Sequence, residues 1–249
     1  MTSGTEENKR AFGLTLLRRL RRRLLAENNM GRYLVYAVGE IFLVVVGILI
    51  ALQINNWNDE RKERKEEQIS YGNIRQQLLD DRKELVKVKD FNSYYSEVYK
   101  YASKIISSGD RVKTDSLAYF AMMLSQFSDF HRSGTIYVTL ASSGELKILK
   151  NTEITSAIQQ LETTYNFANQ LETMHWELIT DEVSPELKGV INYTDFEVIK
   201  PERLYGVELQ NIFFEIIGLS SWKDSVYSQA LSEIDRVIGL IDEELNGRE

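Results

Sequence analysis

The chain has 249 residues, no cysteine, two histidines and two prolines, with 30 Lys/Arg against 37 Asp/Glu. Without cysteine there are no disulfides, thiolate nucleophiles or Cys-based zinc or iron–sulfur sites, and two imidazoles leave little for metal or acid–base chemistry. Residues 1–32 hold eight basic and three acidic side chains, whereas residues 55–249 hold 22 and 33; so acidic a body excludes nucleic acid as the main partner, because phosphate binding needs clustered Lys/Arg.

Residues 1–32 form a basic tail. Phe12, Leu16, Leu17, Leu20, Leu24 and Leu25 recur at helical spacing, with Arg18, Arg19, Arg21, Arg22 and Arg23 between them. This pattern predicts an amphipathic helix on the cytoplasmic leaflet, its arginines on anionic headgroups. A topogenic signal alone accounts for the same charges.

Residues 33–54 read YLVYAVGEIFLVVVGILIALQI, with Glu40 and Gln53 the strongly polar members. Twenty-two helical residues reach roughly 33 Å, enough for a hydrocarbon core of about 30 Å. Tyr33 and Trp57 stand at the two ends as interfacial anchors, and the denser basic cluster on the N-terminal flank predicts a cytoplasmic N-terminus. The span is too long for a signal peptide, and Leu52-Gln53-Ile54 offers no small-residue cleavage pattern. An uncleaved single-pass anchor is expected.

Glu40 is the unusual residue of the span. A carboxylate in hydrocarbon is normally protonated, paired or turned into a packed interior. Ala37, Glu40, Gly47 and Ala51 fall near one helix face, and Gly47-x-x-x-Ala51 permits close helix approach. Glu40 then reads in three ways: a polar clasp between helices, a side chain reaching the cytoplasmic interface, or a proton-linked residue in a complex.

Residues 55–68 contain a charged run without apolar side chains, which predicts a helical stalk polar on all faces. From residue 69 onward a helical bundle of four or five main helices is expected. The first carries Ile74, Leu78, Leu85, Val88, Phe91, Tyr95, Val98, Ala102 and Ile105, and stops near Ser107-Ser108-Gly109. A second amphipathic stretch covers Thr114–Phe127, while Thr135–Leu140 is ambiguous between strand and helix. A long helix from Asn151 carries Ile154, Ile158, Leu161, Tyr165, Ala168, Leu171 and Leu178. Residues 183–206 hold Pro185 and Pro201 and read as an irregular connector. Val207–Ile217 is strongly apolar, and a final helix carries Trp222, Val226, Ala230, Ile234, Val237, Ile241 and Leu245 on one stripe.

Three constellations bear on chemistry. Glu172-x-x-His175 has the spacing of a di-iron ligand pair, but such sites need two pairs and two further Glu; His175 also lies on the apolar face between Leu171 and Leu178, so a core histidine bonded to a neighbour is the expectation. Tyr94, Tyr95, Tyr99 and Tyr101 cover more than one face, so at least one is exposed. Ser142-Ser143-Gly144 lacks a neighbouring base, and there is no phosphate-cradling glycine loop.

The stretch YLVYAVGEIFLVVVGILIALQINNWN, with Gly39, Glu40, Gly47, Gln53, Asn55, Asn56 and Trp57 in place, resembles a family of uncharacterised inner-membrane proteins of flavobacteria and their relatives. Ser143-Gly144-Glu145-Leu146 followed by Asn151 is similar to a later stretch of the same family. The resemblance implies an inner membrane with the bundle in the periplasm, and no activity. The sequence therefore predicts an all-α, membrane-anchored periplasmic interaction or scaffold module, self-associating or bound to another membrane protein, without cofactor, metal or catalysis. A ligand-binding sensor is the alternative, its small-molecule ligand unspecified; with about 32 residues inside, it would need a cytoplasmic partner for output.

Overall fold

The computed structural model describes residues 30–132, 139–140, 142, 144 and 147–247. The described part is all-α, with α1 Met30–Ser108, α2 Thr114–Met122, α3 Thr152–Leu178, α4 Ser184–Lys188 and α5 Val207–Asn246. Strand-like pairing among the described residues is limited to one antiparallel bridge, Ile191 to Val198.

Local chemistry sets the helix ends. Gly109 follows α1 with φ +65°, a left-handed conformation that glycine adopts without a Cβ penalty. Asn151 caps α3, its side chain accepting from the backbone N–H groups of Glu153 and Ile154. α3 runs directly into a wide π-turn, Ile179–Val183, and then into α4, where Pro185 occupies the first turn and its missing N–H leaves no bond unmade.

The chain divides into two compact units, 1–64 and 65–249. In the first, Leu34, Val38, Ile41, Phe42, Leu43, Leu49 and Ile54 are all more than half exposed. Among the described residues α1 is the one helix long and apolar enough to cross a membrane, and none of its apolar window is buried. An apolar helix surface left bare on every side is compatible with a hydrocarbon solvent.

In the second unit, the part of α1 from Lys65 packs with α3 and α5. α1 is antiparallel to α5, because Arg75 meets Asp242 and Arg82 meets Asp235, each at 2.7 Å. The two pairs lie seven residues apart on both helices, which is two helical turns; exposed as they are, they fix register more than they stabilise. α3 also runs antiparallel to α5, with Glu153 near Arg236 and His175 near Lys223. Hence α1 and α3 are parallel within this unit, and Lys150, just before α3, meets Glu67 near the unit's N-terminal end.

Two apolar interiors result. The first holds Leu78 and Leu85 of α1, Ile154, Ile158 and Leu161 of α3, and Ala230, Ile234, Val237 and Ile241 of α5. The second holds Ala102, Ile105, Leu117, Leu124, Val183, Leu187, Ile212 and Phe213. Leu178 packs against both.

Four features depart from expectation. Val207–Ile217 and the final stripe form one 40-residue helix, since Gly218 costs only about 1 kcal/mol in a helix interior and packing on both sides overrides it. Trp222 is 55 % exposed because Lys223, at 0 %, takes the inward position beside it. Glu67, placed by sequence in an all-polar stalk, is buried and accepts from the Lys150 backbone N–H at 2.7 Å. The connector 183–206 is irregular only in part, containing α4 and a short 3-10 turn, Arg203–Tyr205. Of the ambiguous Thr135–Leu140, Thr139 and Leu140 are helical and the rest lies outside the described residues.

Candidate functional site

The residues singled out in the membrane segment remain bare. Glu40, Gly47, Ala51 and Trp57 are exposed and Ala37 half-buried, and a Cβ added at Gly47 would meet nothing within 4 Å. At about 100° per residue, Ala37, Glu40, Gly47 and Ala51 share an arc of roughly 80°. Tyr33 lies in α1 with its side chain outside the described residues, as are Arg18, Arg19, Arg21, Arg22 and Arg23.

The tyrosine group separates as expected. Tyr99 is buried and its hydroxyl lies 2.8 and 2.7 Å from the carbonyls of Met123 and Gln126, while Tyr94 and Tyr101 are exposed. Tyr99 thus anchors the turn after α2 and forms no ligand shelf.

A polar interior sits where α3 and α5 meet the segment 127–130. Glu172 and His175 face inward from α3, Lys223 and Tyr227 from α5, and all four are at least 96 % buried. Lys223 Nζ lies 2.9 Å from His175 Nδ1 and donates to the Ser128 carbonyl at 3.1 Å. An ammonium has no acceptor capacity, so Nδ1 accepts and the imidazole carries its hydrogen on Nε2. Tyr227 and the Phe130 backbone N–H both bond Glu172 Oε1. Ser128 Oγ links Tyr227 to Asn92 Oδ1, and Asn92 donates to the Ser220 carbonyl. Two buried atoms of the cluster, Glu172 Oε2 and His175 Nε2, have no hydrogen-bond partner among the described residues.

Burial dominates the electrostatics here. It raises the Glu172 carboxyl to about 7 with Asp129 adding to the rise, against its bonds to Tyr227 and Phe130 and the nearby Lys223 charge. Burial likewise lowers Lys223 to about 8, opposed by Glu172 and Asp129, and lowers His175 to about 3, assisted by Lys223. Counting hydrogens identifies the better-satisfied state. With Glu172 ionised, Tyr227 donates to it, and the single Ser128 hydrogen serves either Tyr227 or Asn92. With Glu172 protonated, a head-to-tail chain runs from Glu172 through Tyr227 and Ser128 to Asn92 without a gap.

Among the described residues no three or more His, Asp or Glu stand together as ligands, and the Lys223 ammonium on His175 repels a cation. His175 is the core histidine its position between Leu171 and Leu178 predicted. Lys223 and Tyr227 were missed, although Leu219, Lys223, Val226 and Ala230 share one helical phase, which places the lysine on an apolar stripe.

One helical turn away on the same two helices lies a surface cleft of about 470 Å³. Met174, Leu178, Phe214, Leu219 and Trp222 line it with Gly218, and Glu177, Asp181, Glu182 and Glu215 complete the lining. The π-turn supplies Asp181 and Glu182; such turns recur at functional sites. The cleft offers apolar area and carboxylates, and no nucleophile–base pair.

No curated protein and no solved structure matches the chain. The model of a family of unknown function (DUF6090) matches residues 40–197, from Glu40 through α3 and most of the connector, and with more than half of its length matched the chain belongs to that family.

Proposed function

We propose that the chain is a membrane-anchored, non-catalytic interaction module, without cofactor, that works as an oligomer or as part of a membrane complex. In this reading residues 33–54 span an inner membrane of flavobacterial type, as the resemblance of that segment implies. The tail is cytoplasmic, its arginines on anionic lipid, and the bundle is periplasmic. The observation that carries it is the cleft on α3 and α5: Phe214 and Trp222 are 76 % and 55 % exposed, where the inward residues of the same helices are fully packed. Large apolar side chains grouped in a cleft mark a surface that a partner covers. The bare face of Ala37, Glu40, Gly47 and Ala51 supports a second contact inside the membrane, through close packing and a polar clasp.

The test is gentle solubilisation of the full chain, with mass measurement and identification of co-purifying proteins. A mass above the monomer, lost in Gly47→Leu and kept in Glu40→Gln, is the expected result; a monomer with no companion sinks the reading. Because the chain has no native cysteine, single cysteines at Ser3 and Ser221 report topology: Ser221 should label from outside spheroplasts and Ser3 should not.

The sensor is a second reading, supported by the buried Glu172–His175–Lys223 cluster. A titrating interior beside an open cleft is the arrangement a ligand-responsive bundle needs. Ligand binding at the cleft that shifts the Glu172 titration would favour it over a passive module.

A further inference from the structure

Along α5, Phe214, Gly218 and Trp222 follow one another at four-residue steps, about 12 Å from first to last. Both rings project into solvent, and Gly218 forms a saddle between them where a Cβ would meet no atom within 4 Å. Met174 and Leu178 of α3 supply the facing wall. The volume, about 470 Å³, lies within the range of specific binding sites, but the space is an open trough.

Its charge is one-sided. Glu177, Asp181, Glu182 and Glu215 line the trough, and among the described residues none of them takes part in a salt bridge. Residues 151–249 hold only six Lys/Arg against nineteen Asp/Glu. Of those six, Arg203 and Arg236 are already bonded to Glu186 and Glu153, and Lys223 is buried. The field over the trough is therefore negative and attracts cations.

We propose that this trough docks a cationic amphipathic helix of a partner protein, its apolar ridge seated over Gly218 between Phe214 and Trp222 and its Lys/Arg on the four carboxylates. A second copy is disfavoured, because a two-fold contact would bring the same carboxylates face to face; anionic lipid is repelled for the same reason. The chain's own tail has the right pattern, but in the topology proposed above it lies across the membrane.

The test uses the full chain in nanodiscs of zwitterionic lipid and two dye-labelled synthetic 14-residue amphipathic helices, one Leu/Lys and one Leu/Glu, followed by fluorescence anisotropy with empty nanodiscs subtracted. The Leu/Lys helix should bind saturably and weaken with salt, while the Leu/Glu helix should not bind. Gly218→Leu should weaken binding at least ten-fold by filling the saddle, and its thermal unfolding checks that the fold is intact, since leucine is the better helix former. The double variant Glu177→Gln, Glu215→Gln should weaken binding three- to ten-fold. Equal affinity for wild type and both variants, or equal affinity for the two peptides, overturns the proposal; so does a wild-type dimer that Gly218→Leu dissociates. The proposal rests on the interaction-module reading, and the two fail differently: if native partners co-purify equally with wild type and Gly218→Leu, the module survives and this docking site does not.

Discussion

α3 and α5 meet along two stretches built on opposite principles. Toward Glu153 and Arg236 the interface is dry, with Ile154, Ile158, Leu161, Ile234, Val237 and Ile241 at no more than 2 % exposure. Toward Glu172 and Lys223 the same two helices enclose a carboxyl, an imidazole, an ammonium and a phenol. The dry stretch gains from every methylene removed from water, and the polar stretch loses desolvation energy that only complete pairing recovers. One interface can hold both because segment 127–130 pairs most of the polar groups, leaving Glu172 Oε2 and His175 Nε2 as its unrecovered cost, whereas the dry stretch needs no such segment.

The sharpest way to break the comparison is Lys223→Ala. It leaves His175 Nδ1 and the Ser128 carbonyl without their donor and empties a fully buried site, at an expected cost of about 2–5 kcal/mol. Thermal unfolding of the full chain in mild detergent measures it. The paired change Glu172→Gln, Lys223→Met should cost less than Lys223→Ala alone, because methionine keeps the packing volume without a buried ammonium and glutamine keeps a partner for Tyr227. On the dry side, Ile234→Ala should cost about 2–5 kcal/mol as a truncation at a fully buried site, by the same assay; a cost near zero would mean that the stripe is not core.

A smaller effect separates the two stretches by pH. The Glu172 carboxyl is raised from 4.5 to about 7, so between those values the folded chain holds a proton the unfolded chain has lost, and this group's contribution to stability falls as pH rises. His175 is lowered from 6.5 to about 3, so its contribution rises with pH across that window. The two oppose each other between about 4.5 and 6.5. Glu172→Gln removes the falling contribution, so melting temperature should climb more steeply with pH in that range than in wild type. An unchanged slope would show that Glu172 does not titrate there. The smallest effect is expected at Trp222→Ala, a surface change within about 0.5–1 kcal/mol, although sequence periodicity places Trp222 on the same stripe as Ile234.

Much of this fold can be read from the sequence, and the reasons differ by residue. Gly109 and Asn151 mark helix ends because each acts on its own backbone, and Ile234 and Ile241 mark a core because burial recurs with the helical period. Lys223 breaks that reading: a charge at a core position looks like an interruption, and its partner His175 lies 48 residues away. Trp222 looks like core for the converse reason, since hydropathy cannot tell an inward residue from its neighbour once a lysine takes the inward place. His175 could be read as internal from its flanking leucines, but nothing local names what it bonds. The cleft was not legible at all, because it joins Met174 to Phe214 across two helices and shows in exposure, not in period.

The π-turn Ile179–Val183 has a consequence for phase. His175, Ile179, Val183 and Leu187 are all at least 94 % buried, a run spaced by four. In an α-helix each step of four drifts about 40° around the axis, so three steps would carry the last side chain roughly 120° from the first. The wide turn absorbs an extra residue and takes back most of that rotation. One short segment thereby behaves as a gear change, passing the chain from the polar interior of His175 to the second apolar interior of Val183 and Leu187 without a loop. Inserting one further residue there would leave composition and hydropathy almost untouched and still turn Leu187 about 100° off the buried phase of His175, whereas deleting one would let the turn relax to a regular α-helix in nearly the same phase.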